Sequence, residues 1–253
     1  GRGYAVGPGS AGSPAFLGCW LALWPPRTRR RCTVWLGEAI AVPLTVLLYL
    51  LFVGWLWGWG RWVWQAPAPF AFYGLVGPGA TCREALAGLV LGWLSLGLLF
   101  GLQVVLGWRA IAPAVDWLGA IGPGAAVGLG VGFAEELLFR GWLLTELDRS
   151  WPLRRALWVH AVVFAGLHFV KPLAEIWATL PQFGGLVLLG VVLASWRYRQ
   201  GGRLGGAIGF HGGLVWAYYL PGTTQGLPAT GAVPTWVTGL QDNPLAGGLG
   251  LVF

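Results

Sequence analysis

Apolar positions dominate this chain in long runs, and polar residues are confined to the gaps between them. The first long run, Val34–Trp59, exceeds the roughly 20 residues a helix needs to cross a bilayer. Pro43 is expected to kink it, and Glu38 to lie near the headgroups. Glu84–Trp108 predicts a second span after a Pro-containing loop. A third helix is predicted from about Gly124 to about Leu147. Ser150-Trp151-Pro152 reads as a helix start with Ser150 as N-cap, opening a fourth span over Leu153–Val170. Lys171–Pro181 reads as a connection or short helix. Gln182–Trp196 and Leu204–Leu220 predict two further, short spans, and Pro244–Phe253 an apolar tail that begins another helix. The class is therefore all-α: a polytopic membrane helix bundle of about six to eight transmembrane or partly inserted helices. The expected division is an N-terminal disordered or interfacial segment, 1–33, followed by a single transmembrane domain, 34–253. Its motif-bearing core is about 122–220.

Composition strengthens this picture. Of the 253 residues, 56% are hydrophobic and only 10% charged, against about 25% charged in a soluble domain. Mean hydropathy is +0.67. The 18 tryptophans suit a protein with two membrane interfaces, and the 43 glycines suit helices that approach one another closely. The net charge of +7 comes from arginines that flank the apolar runs, including the cluster Arg27, Arg29, Arg30 and Arg31. They form no dense patch interleaved with aromatics, so a lipid bilayer is the expected partner and nucleic acid is not. Their tally across the six spans does not resolve the orientation. Three cysteines, Cys19, Cys32 and Cys82, have neither disulfide-framework nor metal spacing. Ala15–Trp24 is too short to read as a cleavable signal and precedes Pro25-Pro26. The chain has no methionine, and a fragment or a processed product is expected.

The chemistry concentrates in Gly132–Thr145, GFAEELLFRGWLLT. A charge at bilayer depth costs several kcal/mol unless paired or wetted, yet Glu135, Glu136 and Arg140 fall within six positions. Glu136 and Arg140 are four apart with the acid N-terminal, the favourable order for pairing on one helix face. Glu135 points about 100° away and has no partner in its own turn. An unpaired carboxylate in low dielectric is a candidate general base. A structural ion pair is the competing reading for Glu136 with Arg140.

The chain has three histidines. His168 ends the pattern Phe164-Ala-Gly-Leu-His168, and His211 lies midway along the Leu204–Leu220 run among glycines. Two histidines and an acidic pair on three apolar helices point to a convergent site. His160, two turns before His168, is read as interfacial.

Glu-Glu-x-x-x-Arg, then Phe-x-x-x-His, then a third motif beginning at His211, in this order on successive hydrophobic helices, resembles the CPBP family. Its members include the type II CAAX prenyl endopeptidases and bacterial intramembrane proteases, bacteriocin-processing and immunity proteins. The resemblance covers roughly Gly122–Leu220. It implies an integral membrane protein, in a bacterial plasma membrane or an internal membrane, that cleaves a membrane protein or peptide substrate at or within the bilayer. Glu135 and His168 would activate the attacking water, as in a glutamic-type peptidase. Glu136, Arg140 and Phe164 would support the site, and His211 would stabilise the oxyanion. On the older intramembrane-metalloprotease view, Glu135, His168 and His211 would bind zinc with one position open for water. They lack the compact spacing of an HExxH helix, so no cofactor is favoured.

One position departs from the pattern. Many members carry Asn or another polar residue four positions after the third-motif histidine, and this chain has Val215. Valine neither binds metal nor donates to an oxyanion. Losing one such donor costs about 100- to 1000-fold in rate. Tyr218 or a backbone N–H could substitute. The alternative is a weakened or inactive member that serves as a membrane assembly, immunity or scaffold factor for a partner complex. A small transporter ranks last, because the other spans carry almost no polar residues.

Overall fold

The computed structural model describes residues 32–113 and 115–252. The readings of 1–14, of Ala15–Trp24 and of the Arg27–Arg31 cluster lie outside them. Among the described residues every regular element is helical, and the only bridge pairing joins Arg109 to Ala229. In chain order the helices are α1 (Cys32–Gly58), α2 (Pro69–Phe72), α3 (Pro78–Val105), α4 (Trp117–Glu135) and α5 (Leu144–Ser150). They continue with α6 (Leu153–Leu167), α7 (Leu173–Thr179), α8 (Gln182–Arg199), α9 (Gly205–Thr224), α10 (Thr235–Thr238) and α11 (Gly248–Val252). Two π-helical segments, Trp59–Val63 and Glu136–Leu143, extend α1 and join α4 to α5.

Pro43–Val63, Pro78–Val105 and Trp117–Ser150 are long and apolar enough to cross a membrane. Leu173–Thr179 and Gln182–Arg199, bent by 72° at their junction, form a fourth candidate as a broken span. Together with the apolar composition this makes the chain an integral membrane protein. The six spans expected from hydropathy divide differently for two physical reasons. At 15 residues α6 is only about 22 Å long, short of a hydrocarbon core of about 30 Å. The α9 helix has 20 residues, but its glycines, tyrosines and threonines dilute its hydropathy, and much of it is buried against other helices.

Glycine explains how α9 is accommodated. Its Gly209 faces α3 so closely that a Cβ there would lie 1.8 Å from the Ala85 carbonyl oxygen. On α3, a Cβ at Gly92 would lie 2.1 Å from the Phe210 oxygen. On the other side, Gly128 and Gly132 of α4 abut the carbonyls of Gly212 and Ile208. Without side chains the backbones meet directly, the contact that drives helix association where lipid provides no hydrophobic incentive. The α9 helix is thereby clamped between α3 and α4, and α6 packs on α8.

The helix carrying the acidic motif starts earlier than Gly124. Asp116 is its N-cap, accepting from the Gly119 N–H at 2.8 Å, and Pro123 lies inside it. Likewise Ser150 is not the cap of α6: it ends α5, and Pro152 occupies the N-cap position without a side-chain bond. The apolar tail does form a short terminal helix, α11.

A polar rim surrounds the far end of the motif helix. Glu146 accepts from the indole N–H groups of Trp59 at 2.9 Å and Trp64 at 2.5 Å. Arg149 stacks 3.8 Å over Trp64, and the Tyr198 hydroxyl donates to Asp148 at 2.5 Å. Tryptophan, tyrosine and charge together match the signature of a membrane interface. Tyr73, packed nearby, has its hydroxyl pushed up to about 12 by burial, helped by the Glu146 carboxylate.

Candidate active site

Three segments bring the polar residues together: the α4–π junction, the C-terminus of α6 and the middle of α9. The junction is placed by α4 glycines against α9, which carry Glu135 and Glu136 to the level of His211. From Glu136 to Leu143 the helix widens into π geometry, with Glu136, Leu137, Phe139, Arg140 and Gly141 buried. π-Helical turns concentrate at functional sites. Nothing in the hydrophobic pattern signals this one.

Glu136 and Arg140 retain the pairing expected from their spacing: Arg140 Nη1 donates to Glu136 Oε1 at 2.7 Å, with both side chains fully buried. The same oxygen meets a second partner, His211 Nδ1, at 2.8 Å. That bond crosses from the motif helix to α9 and was not legible from i,i+4 spacing. The Arg140 guanidinium lies 4.1 Å over the Phe164 ring, a cation–π contact in a desolvated setting. Phe164 is fully buried and packs edge-on to Phe139 at 5.0 Å and to the His168 ring at 4.8 Å.

Glu135 occupies the remaining corner. Its Oε2 stands 3.9 Å from His168 Nε2 and 3.9 Å from His211 Nε2. Both separations exceed a direct hydrogen bond and suit a bridging water. The Glu135 and His168 side chains keep 19% and 15% of their surface, whereas His211 keeps 3%. The site therefore opens on the Glu135–His168 side and is closed behind His211. His168 Nδ1 faces the Phe164 carbonyl at 2.8 Å. A carbonyl only accepts, so this nitrogen carries the proton, and Nε2 of the neutral ring is the acceptor turned toward Glu135.

Val215 is buried one turn beyond His211 on the same face of α9. Tyr218 packs instead against the cluster of Leu96, Leu99, Phe100 and Ala217. A tyrosine that sequence reasoning passed over does adjoin the motif helix: the Tyr49 hydroxyl of α1 donates to the Gly130 carbonyl, within electrostatic reach of Glu135. His160 is not interfacial. It is fully buried, edge-on to Phe139 at 6.5 Å, because α6 turns the face bearing His160, Phe164 and His168 toward the motif helix.

Among the described residues no three His, Cys, Asp or Glu side chains form a group able to hold a metal ion. Glu135, His168 and His211 thus do not fit zinc as they stand, and no step is derived through a metal.

These features define a class: an integral membrane helix bundle with a glutamate–histidine cluster that is open on one side. Residues 117–217 match the family of the type II CAAX prenyl endopeptidase Rce1-like proteins. The matched segment contains Glu135, Glu136, Arg140, Phe164, His168, His211 and Val215. No curated protein and no solved structure matches the chain.

Proposed function

We propose that the chain is an intramembrane endopeptidase in which Glu135 and His168 activate water. The carrying observation is the shared approach of the two histidine Nε2 atoms to one Glu135 oxygen, each at 3.9 Å. A water held there donates one hydrogen bond to Glu135 and one to His168 Nε2. Attack on a peptide carbonyl transfers the water proton to Glu135. The same proton passes to the departing amine as the tetrahedral intermediate collapses. His211, when protonated, keeps Nδ1–H on Glu136 and turns Nε2–H toward the developing oxyanion. Glu136 and Arg140 act through His211: they fix its ring plane and balance charge where no solvent reaches. The substrate is a membrane protein or peptide presented from the bilayer, as the protease family of the 117–217 segment suggests.

The test is cleavage of a library of membrane-anchored peptides by the protein in lipid nanodiscs, with and without a chelator. Cleavage that persists in chelator and vanishes in Glu135→Gln supports the glutamate–histidine route. Chelator-sensitive cleavage overturns it.

A second reading, a non-catalytic scaffold or immunity factor, is favoured by one observation. The buried Val215 leaves the position one turn past His211 without a side-chain donor. A wild type that cleaves nothing, with Glu135→Gln still supporting the cellular role, selects that reading.

A further inference from the structure

Behind the candidate site lie buried polar atoms whose remaining hydrogen-bonding capacity the hydrolytic chemistry does not use. His160 is fully buried, and neither of its ring nitrogens has a hydrogen-bond partner among the described residues. Arg140 Nε and Nη2 and Glu136 Oε2 are likewise buried and unpartnered. Five buried polar atoms in one region without a protein partner call for another one, since buried donors and acceptors are paired with protein or ordered water.

Packing and electrostatic contact place these residues in one neighbourhood. His160, Phe164 and His168 recur at every fourth residue on one face of α6 and its C-cap. Arg140 lies over Phe164, the residue one turn from His160, and is bonded to Glu136. Arg140 and Arg197 are the charged neighbours that act electrostatically on His160. Arg197 itself donates from Nη2 to Thr145 Oγ1 at 2.9 Å and from Nε to the Gly202 carbonyl at 3.2 Å. That end meets the polar rim at Asp148 and Tyr198 and the half-exposed Gly202 turn.

The chemistry of the orphans selects their ligand. Arg140 is already neutralised by Glu136, and Arg197 has Asp148 as its acidic neighbour. An ion would unbalance these pairs. The unmet capacity is mixed: three N–H donors on Arg140 Nε and Nη2, an acceptor on Glu136, one donor and one acceptor on neutral His160. A small neutral molecule that both donates and accepts meets all of it, and that molecule is water.

We propose that His160, Arg140 and Glu136 line an internal chain of ordered waters, entering beside Arg197 and ending behind Glu135 and His211. Its role is to replace the water consumed at each hydrolysis without opening the substrate side to solvent. That role rests on the endopeptidase reading; the hydration itself does not.

The experiment is hydroxyl-radical footprinting of the full chain in nanodiscs, read beside peptide-cleavage kinetics. After correction for intrinsic reactivity, Phe139 and Phe164 should oxidise at least fivefold faster than Leu137 and Leu193, which are at least as buried. His160→Phe fills the passage and should lower that labelling at least threefold. It should also lower kcat about tenfold or more while leaving KM unchanged, and His160→Gln, which keeps donor and acceptor, should restore both. Wild-type labelling of Phe139 and Phe164 at the leucine rate overturns the proposal and needs no variant to fold. Undiminished labelling in a folded His160→Phe also overturns it. Reduced labelling with unchanged kcat overturns the supply role. Labelled phenylalanines in a wild type that cleaves no peptide leave the water chain standing and remove the endopeptidase reading.

Discussion

The Nε2 of His168 lies 3.9 Å from Oε2 of Glu135, on helices whose sequence positions are 33 residues apart. In the proposed mechanism neither residue activates water alone: the carboxylate takes the water proton, and the imidazole supplies the second anchor. Glu135→Gln keeps the volume and removes the base, so peptide cleavage should fall by about 1000-fold or more. His168→Ala should match it, and the double variant should be no slower than either single, because the pair acts as a unit. Single-turnover cleavage rates check this. Multiplying losses would mean that the two side chains act independently.

Arg140 holds a fully buried acid. Removing one partner of a buried pair leaves the other uncompensated and costs about 3–5 kcal/mol. Arg140→Ala should therefore lower the folded yield in detergent and the thermal midpoint, even without substrate. Normal yield with an unchanged midpoint would mean that Glu136 is protonated or hydrated without it.

On the endopeptidase reading, Val215 stands where a side-chain donor would serve the oxyanion. Val215→Asn introduces one a turn from His211, and kcat should rise about tenfold or more with KM unchanged, within the 100- to 1000-fold that one oxyanion donor supplies. A rise below twofold would show that a backbone N–H already occupies that role.

The clamp around α9 predicts a sharp contrast between two glycines. Gly209→Ala would set a methyl group 1.8 Å from the Ala85 oxygen, and the protein should lose most of its folded yield. Gly101→Ala, with nothing within 4 Å, should be neutral or stabilising by up to about 1 kcal/mol. Size-exclusion profiles in detergent distinguish the two. Equal behaviour would mean that α9 is not held by close backbone approach.

Much of this protein follows from its sequence alone. Apolar runs beyond 20 residues require helices, because a bilayer leaves backbone groups no partner except one another. The Glu136–Arg140 pair follows from helical periodicity, and the rarity of charge singles out Glu135, His168 and His211. Periodicity is local, however, and what only the tertiary structure decides is non-local. The actual lengths of α6 and α9 and the burial of α9 between glycine faces are set by tertiary packing and not by hydropathy. The π-helical widening at Glu136 depends on what packs around that segment, not on its own residues. His160 looks interfacial in the sequence because it lies near a helix start; the turn of α6 against the motif helix buries it. The bond from His211 to Glu136 joins residues 75 positions apart. It exists because the glycines of α4 and α9 let two backbones meet, a contact that no one-dimensional pattern encodes.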